Sequence, residues 1–134
     1  MSRQMFVNLA VKDLKRSVAF FTKLGFEFDA RFTDENATCM IISDDCFVML
    51  LVEDFFRGFT TKPIVDASSS TEVIVALSAD SQGDVDQLVE AALASGGNRS
   101  KEPMSEGGMY SRSFSDPDGH LWEVVYMDPA AMTG

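Results

Sequence analysis

The stretch "MFVNLAVKDLKRSVAFFTKLGF", residues 5–26, decides the fold because it changes period in the middle. Val7, Leu9 and Val11 alternate with Phe6, Asn8 and Ala10, the two-residue period of a strand. Asp13 then offers a helix cap, Val18, Phe21 and Leu24 recur at helical spacing, and Gly25 supplies the stop. Strands are expected next in "FEFDARF", "ATCMIIS" and "CFVMLLVE", the last two forming a hairpin around Ser43-Asp44-Asp45.

The same order starts again at Glu72. "EVIVALSAD" alternates, with Val73, Val75 and Leu77 opposite Ile74, Ala76 and Ser78. "SQGDVDQLVEAALASGG" reads as an amphipathic helix with Val85, Leu88, Val89 and Ala92 on its apolar stripe and Gly96-Gly97 at its end. Strands are expected again at "NRSKEPM", "MYSRSFS" and "HLWEVVYM", with turns at Ser105–Gly108 and Asp116–Gly119. "LAVKDL" therefore answers "VALSAD" about 67 residues later, a repeat long enough to be a supersecondary unit that needs a second copy to bury its apolar face. The expectation is one α+β domain over 1–134: a β-α-β-β-β module over 1–53, a connector over 54–71 and a second such module over 72–129. The two modules are expected to make a curved mixed sheet.

Composition narrows the function classes. The 134 residues are 46% hydrophobic and carry a formal net charge of −10, which argues against nucleic acid and anionic membrane surfaces as partners. No apolar run approaches the ~20 residues of a membrane helix. "MSRQMFVNLAV" lacks the apolar core of a signal peptide, so the cytoplasm is the expected location. Cys39 and Cys46 are read as small buried hydrophobes. A single histidine, His120, cannot supply a two-imidazole metal site; in its turn it is read as solvated.

"VKDLKRSVAFFTKLGFEF", "DPDGHLWEVVY" and the duplicated β-α-β-β-β order together resemble the vicinal oxygen chelate superfamily. It includes glyoxalase I, extradiol dioxygenases, fosfomycin-resistance thiol transferases and bleomycin-resistance proteins. Within that superfamily it also resembles bacterial proteins labelled predicted lactoylglutathione lyases. The resemblance implies two modules forming a cup, usually in a homodimer. In metal-using members, inward residues hold one divalent cation that chelates vicinal substrate oxygens and polarises them.

Placed residue by residue, the resemblance sets the first-strand ligand, usually His, at Phe6 and its second-module counterpart at Ile74. The ligand ending the first module falls near Met49 or Leu50. The last falls on Glu123, four residues past the glycine of "DPDG". Only this fourth position keeps a hard-metal donor. Glu123 alternates with Trp122 and Val124 and would need a partner: Asn8, Arg112 or a ligand's donor group.

Two functions follow from these residues. The first is a protein that binds an unidentified small molecule in an apolar cup, lined by Phe6, Met49 and Ile74 and anchored by Asn8 and Glu123, without cofactor or metal. The second is a lactoylglutathione-lyase-like lyase or isomerase, with Glu123 as metal ligand and base in an atypical site, for instance Asn8, Glu123 and water around magnesium or manganese. Phe55, Phe56 and Phe59 are expected to cap the core, the other reading being a wall for the cup. Met40, Met49 and Met109 fit core filling or an adaptable pocket. Ser111, Ser113 and Ser115 share one strand face, lining the cup or facing water.

Overall fold

The computed structural model describes residues 3–132. By its internal contacts the chain divides into two compact units, Met1–Val65 and Asp66–Gly134. Each unit repeats one strand order.

In the first unit, β1 (Met5–Val11) leads into α1 (Leu14–Lys23), followed by β2 (Glu27–Asp29), β3 (Ala37–Ile41) and β4 (Cys46–Val52). The helix starts where Asp13 accepts a hydrogen bond from the Arg16 N–H, and it stops before Gly25, whose φ of 100° is the left-handed value glycine adopts freely. The sheet runs β1-β4-β3-β2, with β1 and β4 parallel and the β3–β4 hairpin antiparallel. Leu9 pairs with Leu50 and Val7 with Val48. Leu9, Val48, Leu50, Phe20 and Phe21 are buried, so the helix covers this side of the sheet. "FEFDARF" is a strand only as far as Asp29; the Asp29 carboxylate then accepts from the Arg31 backbone and guanidinium and turns Ala30–Phe32 into a 3-10 turn.

The second unit holds β5 (Ile74–Ser78), α3 (Gln82–Ala94), β6 (Asn98–Arg99), β7 (Met104–Glu106), β8 (Met109–Ser115) and β9 (Leu121–Met127). In the first unit β4 is followed by one short helix, α2 (Glu53–Phe56), running into a 3-10 turn at Arg57–Phe59. The order β5-β9-β8-β6 reproduces the first unit's, again with first and last strands parallel; β7 pairs with β8. "NRSKEPM" is thus two short strands, and Pro103 between them has no N–H to give to a ladder. Ser81 caps α3 through the Asp84 N–H. Val85, Val89 and Ala92 pack into a core with Phe114, Trp122 and Val124, all fully buried. The Phe114 and Trp122 rings lie 6.3 Å apart and 3° from parallel. Burying one such aromatic side chain stabilises by about 2–3 kcal/mol.

The architecture is the α+β pair of β-α-β-β-β modules anticipated, but the strands hydrogen-bond as two mixed sheets, of four and five strands. Phe55 and Phe59 do not cap a core: they are exposed, Phe59 at 69%, and pack edge to face on one another with centroids 5.2 Å apart. Cys39 is buried as expected, whereas Cys46, at the hairpin end of β4, is exposed. No helix among the described residues is long and apolar enough to cross a membrane.

Candidate binding face around Glu123

Strand register decides what surrounds Glu123. Across the second sheet Ala76, Glu123 and Ser113 are direct neighbours, flanked by Ile74, Leu121 and Ser115 on one side and Ser78, Val125 and Ser111 on the other. Facing pairs share a sheet face, so the three serines of β8 lie on the face of Glu123. Trp122, Val124 and Phe114 take the opposite, helix-covered face. Glu123 is therefore not embedded in the core. It is half-buried beside a small residue and a hydroxyl, over a crevice also lined by Lys101, Met104 and Ser111. The Lys101 N–H donates to Ser113 Oγ at 2.9 Å.

Neither expected protein partner reaches its carboxylate. Arg112 lies on the helix-covered face, where its guanidinium binds Asp86 at 3.0 Å and Glu90 at 2.7 Å. The Asn8 side chain donates to the Phe6 carbonyl of its own strand at 3.4 Å. Among the described residues no hydrogen bond or ion pair engages the Glu123 side chain. A carboxylate left open on a partly dry face is an acceptor for an incoming donor.

On the corresponding face of the first unit β1 and β4 carry no charge, while Glu27 and Asp29 of β2 lie farther along the same face, Asp29 paired with Arg31 at 2.8 Å. Phe6 pairs with Phe47, their rings stacked at 5.0 Å, and Asn8 pairs with Met49. In the second unit Ile74 pairs with Leu121 and Ala76 with Glu123. Phe6 and Ile74 each lie seven residues before their helix caps, Asp13 and Ser81, so within the repeat Met49 is the counterpart of Glu123. Leu50, the other candidate, is fully buried on the opposite side. Phe6 is 49% exposed and Ile74 56%, large apolar side chains presented to solvent.

These residues do not fit a divalent cation. Phe6 and Ile74 carry no donor atom, and the Met49 thioether is a soft ligand unsuited to the hard cations that carboxylates favour. Among the described residues no three His, Cys, Asp or Glu side chains gather as a ligand set.

His120 corrects the expectation of a solvated turn residue. It is 5% exposed, and its Nδ1 lies 2.8 Å from Glu72 Oε1. The turn before it is built on Asp116, also buried. Asp116 Oδ1 accepts from the Asp118 and His120 N–H groups, and Oδ2 accepts from the Trp122 indole at 3.0 Å. Burial pushes the Asp116 carboxyl above its usual range, against the opposing pull of His120 and the indole hydrogen bond. The Gly119 N–H closes the type I turn onto the Asp116 carbonyl at 2.9 Å. Gly119 has φ +95°, and a Cβ there would meet the Ala67 carbonyl oxygen at 2.6 Å. Turn chemistry reads from "DPDG"; its clamp on residues 67–72 depends on partners about 50 residues away and has no local signature.

A family model described as the Glyoxalase/Bleomycin resistance protein/Dioxygenase superfamily matches residues 3–124. No curated protein matches the chain. Among solved structures, a hypothetical protein from S. aureus is 27% identical over 94% of this chain and 94% of its own, with a TM-score of 0.79. A glyoxalase/bleomycin resistance protein/dioxygenase family enzyme from Burkholderia phytofirmans is 16% identical over 95% and 100% of the two chains, TM-score 0.77. The fosfomycin resistance protein FosX from Listeria monocytogenes is 22% identical over 96% and 93%, TM-score 0.67. At the last two identities the likeness is one of fold. With its duplicated modules and a family match over most of its length, the chain belongs to the glyoxalase/bleomycin resistance protein/dioxygenase superfamily.

Proposed function

We propose that this protein binds a small organic molecule on the face of Glu123, without the metal its superfamily commonly uses. The observation that carries the reading is an open carboxylate on a face of serines and aliphatic side chains, while Phe6, Met49 and Ile74 occupy the other positions where cation ligands would be expected. A ligand suited to it has a polar or cationic donor group for Glu123 and an apolar body for side chains such as Ile74 and Leu121. The first module carries Phe6, Asn8 and Met49 at the positions equivalent to Ile74, Ala76 and Glu123. In this reading the protein acts as a homodimer, which exposed Met5, Phe6, Val73, Ile74 and Met127 support.

Thermal unfolding against a panel of aromatic and aliphatic amines, with chelator present, tests this. A ligand at 100 times its Kd stabilises by about 2.7 kcal/mol, and Glu123→Ala is expected to abolish that gain. The competing lyase reading is tested in parallel by methylglyoxal–glutathione turnover with nickel, zinc or manganese. Metal-dependent turnover that disappears in Glu123→Ala would establish the lyase in place of the binder.

A further inference from the structure

Besides buried His120, the second unit carries three basic residues: Arg99, Lys101 and Arg112. Register takes two of them away from Glu123. Arg99 pairs with Phe114 and Arg112 with Val124, which puts both on the helix-covered face. Lys101 belongs to no ladder pair. The pairings of Arg99 with Phe114 and of Met104 with Ser111 leave Ser100, Lys101, Glu102 and Pro103 opposite only Arg112 and Ser113. The edge of the sheet bulges here, and a bulge re-aims the side chains it carries.

The bulge is tied to the face of Glu123. The Lys101 N–H donates to Ser113 Oγ at 2.9 Å, and Ser113 is the direct cross-strand neighbour of Glu123. Such neighbours stand about 5 Å apart at Cβ, so the lysine's flexible stem starts within reach of the carboxylate. Lys101 and Glu123 line one crevice. Among the described residues, however, no ion pair or hydrogen bond engages the Lys101 ammonium or the Glu123 carboxylate. The crevice, about 10 Å³, admits one water-sized group. An ammonium fits there, against Glu123 and the hydroxyls of Ser111 and Ser113. Whatever is attached to it lies outside, where Lys101 is exposed. A ligand carrying only negative charge is repelled, since residues 66–134 hold 12 Asp and Glu against 3 Arg and Lys. Opposite charges left unpaired on one crevice suit a ligand that carries both signs.

We infer, resting on the function proposed above, that the ligand is a zwitterion of the α-amino-acid class. Its ammonium sits on Glu123, its carboxylate meets Lys101, and its apolar side chain lies on the sheet face beside them.

Calorimetric titration of the full chain with phenylalanine, phenethylamine and 3-phenylpropionate, and with leucine and 3-methylbutylamine, tests it. Each amino acid is expected to bind about two- to fivefold tighter than the amine that lacks its carboxylate, the gain an exposed ammonium contributes, and added salt should shrink the difference. 3-Phenylpropionate should bind weakest. Lys101→Gln is expected to bring each amino acid down to its amine while amine affinity stays the same, and Glu123→Ala to lose both. Lys23→Gln, on α1, removes the same charge and keeps the preference. Amines binding as tightly as amino acids, or a preference that survives Lys101→Gln, overturns the inference and leaves the proposed function standing. Tighter amine binding in Lys101→Gln overturns it as well, since the lysine then covers the carboxylate instead of serving the ligand. No saturable binding of any amine or amino acid overturns the proposed function and the inference together.

Discussion

Replacing Asp116 by alanine removes the one side chain that accepts from the Asp118 N–H, the His120 N–H and the Trp122 indole together. Each buried donor left unmet costs about 1–3 kcal/mol. Two circumstances reduce the sum. Asp118 is only half-buried and can turn its N–H to water, and loss of a buried carboxylate relieves a desolvation cost that already pushes its pKa up. The expected net loss is about 2–4 kcal/mol, a large part of a domain's stability. Asp116→Asn keeps one oxygen for two of the donors and should lose about 1–2 kcal/mol. Urea unfolding at pH 7, followed through the protein's one tryptophan, Trp122, measures both. At a typical slope the alanine midpoint should fall by roughly 2 M, with asparagine between it and the native protein. An alanine variant as stable as the native protein, or less destabilised than asparagine, would refute the claim that this carboxylate organises the turn.

Gly119→Ala forces a Cβ to 2.6 Å from the Ala67 oxygen at φ +95°, so a loss of at least about 2 kcal/mol is expected by the same unfolding assay. The Tyr110 hydroxyl, and then Arg112, hold the Asp86 carboxyl below its usual 3.8. Its contribution to stability is therefore full above pH about 4 and lost as pH falls through the lowered value, so Asp86→Asn should flatten the acid side of a stability–pH curve. The raised Asp116 acts oppositely: the native state takes up its proton first as pH falls, so Asp116→Asn should steepen that limb. A thiol reagent should modify Cys46 rapidly in the native protein and Cys39 only on unfolding, read as one fast and one slow equivalent.

Much of the fold was legible because its signals are local. The switch from two-residue to helical period after Val11 and Leu77, the caps Asp13 and Ser81, and stops at Gly25 and Gly96 sit within each element's own residues. Alternation set Trp122 behind Glu123, but that Ser113 stands beside it follows only from the pairing of β8 with β9. What failed was long-range. His120 looked like a solvated turn residue because nothing near it in sequence reveals Glu72, 48 positions earlier. Arg112 looked free for Glu123 because its acids, Asp86 and Glu90, arrive from a helix on the other side of the sheet. Phe59 looked like core because aromatic residues usually are, and the sequence holds no record of what leaves it exposed.

The central claim is that Glu123 is kept for an organic donor rather than for a cation. Calorimetric titration of chelator-stripped protein with nickel, zinc and manganese, repeated on Glu123→Ala, tests it most directly. The account predicts no tight uptake of any of the three, and identical weak heats in both proteins. One tightly held ion per chain, lost when Glu123 is replaced, would contradict it.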